Sequence, residues 1–213
     1  MSLARLGRFI TLEGGEGAGK STQARRLAAA LREAGIDVVE TREPGGSPGA
    51  EEIRRLLTTG EANRWSPMAE TLLHFSARAD HVRRTIRPAL KDGRWVCSDR
   101  FADSTMAYQG YGHGVDRGFI DMLTGAVLGE LRPDLTLIFD IPVEQGLARA
   151  AKRPGQEDRY EKMDRKFHEA LRRGFLAIAA NDPARCVVID ASGNEDETWR
   201  QIHSAVSAKL GTI

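Results

Sequence analysis

A glycine-rich phosphate-binding motif near the N-terminus constrains the fold of this chain more than any other feature. Residues Gly14 to Ser21 read GGEGAGKS and match the pattern G-x-x-x-x-G-K-[ST]. They follow the apolar run Phe9 to Leu12 and precede a helical pattern of apolar residues between Ala24 and Leu31. In this context the loop N–H groups and Lys20 bind the phosphates of ATP or GTP, and Ser21 is suited to hold Mg²⁺.

The predicted nucleotide site covers the whole loop and the start of the helix. Its residues are Gly14, Gly15, Glu16, Gly17, Ala18, Gly19, Lys20, Ser21 and Thr22.

Buried strands alternate with helical segments along the chain. Five short runs rich in apolar or β-branched residues are predicted as strands: Arg8 to Glu13, Asp37 to Arg42, Trp95 to Asp99, Leu135 to Ile141 and Cys186 to Asp190. The alternation predicts an α/β fold with a five-stranded parallel sheet flanked by helices on both faces. The chain reads as one domain over residues 1–213. In such sheets, ligands bind beyond the carboxyl ends of the strands.

Local signals predict one long helix and two loops. Ser66 before a proline is a good helix start, and the apolar pattern continues towards Pro88. The glycine-rich stretches Arg42 to Ala50 and Tyr108 to Gly118 are predicted as irregular loops that face a ligand.

Composition excludes several classes of protein. With 31 basic and 30 acidic residues, the formal net charge is +1, which argues against a large nucleic-acid interface. No apolar run approaches the roughly 20 residues needed to span a membrane, so a cytoplasmic location is expected. Cys97 and Cys186 lie in apolar runs and are predicted to be buried thiols.

Charged residues follow two of the predicted strands. Arg42 ends the second strand, and Asp99 and Arg100 end the third. Asp99 could hold Mg²⁺ or its waters, whereas a guanidinium is suited to bidentate contact with phosphate. The alternative is that these strand ends simply reach solvent.

A basic segment after the fourth strand predicts a lid. Residues 149–160 include Arg149, Arg153 and Arg159 around a Pro-Gly pair. Basic side chains that close over transferring phosphoryl groups would exclude water and neutralise the developing charge, which is most of what phosphoryl transfer needs. The alternative is a solvated helix face.

These features resemble the bacterial thymidylate kinase family from Phe9 to the C-terminal helix. Beside the generic phosphate-binding loop, the resemblance rests on Thr41 to Gly46 (TREPGG), on Asp99-Arg100 followed by Ser104 to Gly110 (STMAYQG), and on Leu131 to Leu137 (LRPDLTL) before Asp140. It implies the fold of P-loop nucleoside monophosphate kinases.

The resemblance also assigns roles within an acceptor site. It implies that Glu16 meets the deoxyribose 3′-hydroxyl and that Arg42 and Arg100 hold the 5′-phosphate. Asp99 would serve Mg²⁺ and the phosphoryl centre, and Arg78 would read a thymine carbonyl. The surroundings of the base and sugar are implied at Thr105, Tyr108 and Gln109.

The chain departs from the family at the base-stacking position. There the family carries a phenylalanine four residues before the arginine that reads thymine, and this chain has His74, followed by Phe75. We expect His74 to be the base platform, since Phe75 points about 100° around the helix. At Gly17 one branch of the family has a clamping arginine, whereas the branch with glycine uses basic residues of the lid instead. The resemblance thus makes Arg149, Arg153 and Arg159 the candidates in the lid, and Arg149 and Arg153 join Lys20, Asp99 and Arg100 as implied catalytic residues.

The implied reaction is phosphorylation of dTMP to dTDP with ATP and Mg²⁺, by a homodimer. Two alternatives stay open at this point. One is another nucleoside or nucleotide kinase of the same fold, and the other is a P-loop ATPase module that drives a partner.

Overall fold

The computed structural model describes residues 7–152 and 159–211. Its single sheet contains five strands: β1 Phe9–Gly14, β2 Val38–Arg42, β3 Trp95–Asp99, β4 Leu135–Asp140 and β5 Cys186–Asp190. The strands lie in the order β2-β3-β1-β4-β5, and every neighbouring pair is parallel. The predicted strands and the predicted parallel sheet are therefore confirmed.

Helices connect the strands and cover the sheet. They are α1 Lys20–Glu33, α2 Pro48–Thr58, α3 Pro67–His81, α4 Arg87–Lys91, α5 Ala102–Thr105, α6 Arg117–Leu128, α7 Val143–Ala150, α8 Arg165–Asn181 and α9 Glu195–Leu210, with π-helical segments at Val82–Ile86 and Met106–Gly112. In the described part of the chain, no helix is both long and apolar enough to cross a membrane.

The hydrophobic core lies on both faces of the sheet. On one face, α1 and α9 pack on β1 and β4 through residues such as Leu27, Leu31 and Ile202, all fully buried. On the other, Phe175 of α8 packs in a second cluster that includes Ile138 of β4. Every residue of β1 is buried, which is why this strand reads as a continuous apolar run rather than an alternating one.

The predicted long helix is confirmed. Ser66 caps the N-terminus of α3 by accepting a hydrogen bond from the N–H of Ala69, and a proline occupies the first turn. The helix then passes through the π-helical segment Val82–Ile86 into α4.

The predicted loop from Tyr108 to Gly118 is wrong in its first half. Residues Met106–Gly112 form a π-helical segment that continues from α5 and packs on α8. Gly112 permits this contact, since a Cβ atom there would lie 2.5 Å from Cε2 of Phe167. The glycine therefore serves close packing and not a turn.

Candidate active site

A cleft of about 1350 Å³ opens above the phosphate-binding loop and the ends of β2 and β3. Sixteen residues predicted for the site line it: Glu16, Gly17, Ala18, Gly19, Lys20, Ser21, Thr22, Arg42, His74, Arg78, Asp99, Arg100, Thr105, Tyr108, Gln109 and Arg149. Gly14 and Gly15 do not line the cleft; their carbonyl groups accept hydrogen bonds from Arg100 and Lys20. Arg153 lies outside the described residues.

The phosphate-binding loop has the backbone that its glycines allow. Gly14, Gly17 and Gly19 all have positive φ, and Gly19 directly precedes α1. Lys20 is only 6% exposed, and its Nζ donates to the carbonyl oxygen of Gly15 at 2.6 Å. Burial, reinforced by the charge of Arg100, lowers the pKa of Lys20 to about 8. Loop and helix N-terminus together form a site for the phosphates of a nucleotide.

Ser21 and Asp99 fit a magnesium site. The Ser21 hydroxyl donates to Oδ2 of Asp99, which brings together the first turn of α1 and the end of β3. The other carboxylate oxygen, Oδ1, is buried and has no hydrogen-bond partner among the described residues. A hydroxyl and a carboxylate with a spare oxygen are the ligands that Mg²⁺, or its bound water, prefers. These residues therefore fit the predicted ion.

Arg100 connects the end of β3 to the acceptor side of the cleft. Its φ is 71°, a left-handed conformation that is rare outside glycine. The guanidinium donates to Glu16 Oε1 and to the Gly14 carbonyl, both at 2.9 Å, and lies 4.9 Å from the ring centroid of Tyr108. Burial opposes its charge, but Tyr108 and Glu16 outweigh burial and raise the pKa of Arg100. The residue therefore keeps its positive charge beside the phosphate-binding loop.

Arg100 and Tyr108 both bind the side chain of Glu16. Oε1 of Glu16, which accepts from Arg100, also accepts from the Tyr108 hydroxyl at 2.5 Å. The carboxylate thus faces the cleft from the loop, between a cation and an aromatic hydroxyl, where a sugar hydroxyl can be recognised.

Arg78 is a buried cation at the base of the same cleft. It is 2% exposed; its Nε donates to Glu43 Oε2 at 2.8 Å, and its Nη2 donates to Thr105 Oγ1 at 2.9 Å. Nη1 is buried without a hydrogen-bond partner in the part of the chain that the structure describes. The fork of donors is thus fixed on two sides and leaves one donor for a ligand in the cleft.

A histidine completes the support of Arg78. Nδ1 of His81 lies 3.0 Å from Glu43 Oε1, and Nε2 lies 2.8 Å from Oγ1 of Thr41. The pKa of Glu43 stays below its ordinary value, because Arg78 and His81 outweigh the effect of burial. Glu43 is therefore an anion that orients Arg78.

His74 and Phe75 have different surroundings in the structure. His74 lines the cleft, whereas Phe75 is 3% exposed and lies under the guanidinium of Arg78, 5.0 Å from ring centroid to Cζ. This arrangement supports His74, and not Phe75, as the aromatic surface available to a base.

Comparison with known proteins places this constellation in a family. The family model described as thymidylate kinase matches residues 12–202. The chain belongs to the thymidylate kinase family. It is 55% identical over 205 residues to a thymidylate kinase of Caulobacter vibrioides, covering 96% of this chain and 98% of the relative. A thymidylate kinase of Afipia carboxidovorans is 51% identical, with 97% and 91% covered.

A solved structure agrees with the fold as well. The crystal structure of a thymidylate kinase from Ehrlichia chaffeensis matches with a TM-score of 0.74 and 35% identity, covering 92% of this chain and 97% of that one. Membership of the thymidylate kinase family makes the chain an ATP-dependent nucleoside monophosphate kinase, and the predicted fold and enzyme class are confirmed.

Two arginines of the predicted lid donate to backbone carbonyl groups. Arg149 donates to the carbonyl groups of Ala191, Ser192 and Gly193 at 2.7–2.9 Å. Arg159 is 1% exposed and donates to the carbonyl group of Leu57, in the last turn of α2, and to those of Glu61 and Ala62, which follow α2. Arg159 therefore fastens its own segment to α2.

Arg42 and Gln109 also have partners within the protein. Arg42 is half-exposed and pairs with Glu51 of α2 at 3.2 Å. Gln109 is 1% exposed, and its amide donates to Glu70 Oε1 at 2.7 Å. Their substrate contacts stay predictions.

Sequence reasoning missed several buried carboxylates that support the site. Glu13 accepts a hydrogen bond from the N–H of Phe101 at 2.8 Å, and burial raises its pKa to about 7, assisted by the charge of Asp103. Glu43 orients Arg78, and Glu70 binds Gln109. A charged residue inside an apolar strand was the available signal for Glu13, and position within TREPGG was the signal for Glu43.

Proposed function

We propose that this enzyme transfers the γ-phosphoryl group of ATP to the 5′-phosphate of dTMP, forming dTDP and ADP in the supply of dTTP. Membership of the thymidylate kinase family supports the substrate pair. The observation that carries the acceptor assignment is the unpartnered Nη1 of Arg78, a buried donor that lines the cleft beside His74.

The donor side follows from the phosphate-binding loop. Its N–H groups, the N-terminus of α1 and Lys20 bind the ATP phosphates. Ser21 and Asp99 would hold Mg²⁺, which, when bound, screens the charge of the β- and γ-phosphates.

The acceptor side follows from the opposite wall of the cleft. Arg42 and Arg100 hold the 5′-phosphate of dTMP, and Glu16 binds the 3′-hydroxyl. Tyr108 lies against Glu16 and Arg100 at the sugar. His74 stacks on the base, while Arg78 donates to the thymine carbonyl at the position where cytosine carries an amino group.

The chemistry needs positioning more than proton transfer. An oxygen of the dTMP phosphate is already anionic at neutral pH and attacks the γ-phosphorus directly. The new P–O bond forms as the bond from the γ-phosphorus to the bridging oxygen of ADP breaks, and ADP leaves. Lys20 and Arg100 keep the two polyanions together and neutralise the charge on the group in transit.

The test is ADP and dTDP formation from ATP and Mg²⁺ with dTMP, dUMP, dCMP, dGMP, AMP, thymidine or no acceptor. We expect turnover that requires dTMP, with dCMP a poor acceptor because an amino group cannot accept from Arg78. Equal ADP formation without an acceptor would instead indicate an ATPase, and a faster reaction with another nucleotide would indicate a different kinase of this fold.

Assembly and location remain predictions. The family resemblance implies a homodimer, and Met68 and Leu72 of α3 and Met122 of α6 are large apolar side chains that are exposed in the single chain. Analytical ultracentrifugation would measure the mass in solution. The expected cytoplasmic location can be checked by fractionating cells.

A further inference from the structure

His74 does more in this structure than present an aromatic surface. Its Nε2 lies 2.8 Å from the hydroxyl oxygen of Tyr160, and the two ring centroids are 6.3 Å apart. His74 belongs to α3, whereas Tyr160 is 86 residues further along the chain, and both line the cleft. A hydrogen bond thus joins two separate walls of the acceptor pocket.

Tyr160 is well placed to form part of that pocket. Its ring packs edge-on against Tyr108, with centroids 5.2 Å apart and an interplanar angle of 82°. Tyr108 in turn bonds Glu16. Tyr160 therefore extends the aromatic wall from the sugar side towards the base side at His74.

Arg159, the residue before Tyr160, is also bound to α3. Arg159 pairs with Glu70 at 2.5 Å, and both side chains are 1% exposed. Glu70 and His74 are one turn apart on α3, and Arg159 and Tyr160 are adjacent in sequence. Consequently α3 holds this short segment at two successive points, one ionic and one through a neutral hydrogen bond.

The surroundings also keep the two partners of this bond uncharged. Glu70 is the anion of the cluster: burial opposes its charge, but the nearby His113 and Arg159 outweigh burial and lower its pKa to about 2. Burial, assisted by the charge of Glu70, raises the pKa of the Tyr160 hydroxyl well above its ordinary value, and burial lowers the pKa of His74 to about 4. A neutral imidazole and a protonated hydroxyl can each donate or accept, so the bond requires a side chain at position 74 that can form a hydrogen bond.

We propose that His74 is a positioning residue that holds Tyr160 as a wall of the acceptor pocket, so that the bound nucleotide meets a prearranged aromatic enclosure. This inference rests on the proposed function and adds a determinant of acceptor affinity to it. A phenylalanine at position 74 could stack on a base equally well but could not form a hydrogen bond with Tyr160.

A double-mutant cycle isolates this role from stacking. The variants are His74→Phe, Tyr160→Phe and the pair together, and KM is measured for dTMP at saturating ATP and for ATP at saturating dTMP. We expect each single variant to raise KM for dTMP about 3- to 10-fold, the range for one neutral hydrogen bond. The double variant should match the singles, because all three lack the same bond. KM for ATP and kcat should stay within about 2-fold.

His203→Phe is the matched control, since His203 is exposed on α9 and packs against Trp199 away from the cleft. It should leave every constant unchanged. Multiplicative effects in the double variant would overturn the proposal. An unchanged KM in His74→Phe beside a raised KM in Tyr160→Phe would overturn it as well.

A second pair of variants covers the possibility that His74→Phe does not fold. His74→Gln keeps a donor and His74→Leu does not, so KM for dTMP should be lower in the glutamine variant; equal values would overturn the proposal. Failure of the proposed function looks different, because the unaltered protein would then show no turnover that depends on dTMP.

Discussion

Replacing Gly17 with alanine should slow the reaction by about 100-fold, because α7 packs directly on this residue of the phosphate-binding loop. A Cβ atom at Gly17 would lie 1.9 Å from the carbonyl oxygen of Gly146 and 3.1 Å from the amide nitrogen of Ala150. Both are backbone atoms, so no side-chain rotation can relieve the clash. A Cβ at Gly146 would in turn lie 2.6 Å from the carbonyl oxygen of Glu16, which shows how closely loop and helix interlock.

The magnitude follows from the distance that must open. Ordinary contact begins near 3.4 Å, so loop and helix would have to separate by about 1.5 Å. Displacing a catalytic group by about 1 Å can cost about 100-fold in rate. Gly17 also has φ of +67°, which adds about 1–2 kcal/mol of backbone strain for alanine.

Gly35→Ala separates strain from displacement. Gly35 has φ of +78° and no atom within 4 Å of an added Cβ, so it carries the strain without the clash. For a chain of this size, strain alone should lower the unfolding temperature of Gly35→Ala by roughly 2–8 °C, and Gly17→Ala, which carries the clash as well, should lose at least as much. Only Gly17→Ala should lose kcat in steady-state assays with ATP and dTMP. Parental kcat in Gly17→Ala would refute the argument that α7 fixes the loop.

Four further predictions concern side chains of the site. Arg100→Ala and Lys20→Ala should each lower kcat/KM at least about 100-fold with an unchanged circular dichroism spectrum, and near-parental turnover would remove that residue from the mechanism. Asp99→Asn should raise the magnesium concentration for half-maximal rate by about 10-fold or more; an unchanged titration would exclude this carboxylate as a ligand. Glu43→Gln should lower the ratio of kcat/KM with dTMP to kcat/KM with dCMP, because Arg78 loses its anionic partner. An unchanged ratio would count against base recognition by Arg78. Burial lowers the pKa of His74 to about 4 from an ordinary 6.5, so between pH 6.5 and 4 only the unfolded chain takes up this proton. In denaturant titrations, the free energy of unfolding of the parent should therefore fall more between pH 7 and pH 5 than that of His74→Phe. Equal decreases in the two proteins would contradict the lowered pKa.

The fold was predictable because its signals are local. β1 and β4 are buried along their length, and so each reads as an apolar run whose ends lie within two residues of the observed strand. The π-helical segment Met106–Gly112 was not predictable in this way. Its glycines indicate a loop by local preference, whereas Gly112 is required by the ring of Phe167, which is distant in sequence.

In the candidate site, too, some residues could be predicted from local signals and others could not. Asp99 ends β3 and Arg100 follows it, while Lys20 follows β1 through the phosphate-binding loop. Parallel strands end at one edge of the sheet, so the convergence of these residues on one cleft could be predicted. The pairing of Arg78 with Glu43 depends on where α3 crosses that edge, which no local pattern specifies.

A periodic signal on α3 nevertheless exists in the sequence. Glu70, His74, Arg78 and His81 are spaced by four, four and three residues, which places them on one face of a helix. Three of them are almost completely buried, and the fourth, His74, lines the cleft. A polar stripe at helical spacing, opposite a phosphate-binding loop, is therefore a pattern from which a ligand-facing helix could have been predicted.

The arginines of the predicted lid show why residue type alone cannot assign a phosphate ligand. A guanidinium offers five donors in a fixed fork, which suits phosphate oxygens and equally suits the carbonyl groups left unpaired where a helix ends. Arg159 uses its fork on the carbonyl groups at and after the end of α2 and on Glu70, and so it serves the fold. Arg149 uses its fork on the loop between β5 and α9, at the rim of the cleft. To clamp a phosphoryl group, Arg149 would have to exchange carbonyl partners for phosphate, whereas Arg159 would have to break a buried ion pair, which is the more costly change. A role in catalysis is therefore expected of Arg149 before Arg159, an order that their equal charge in the sequence could not provide.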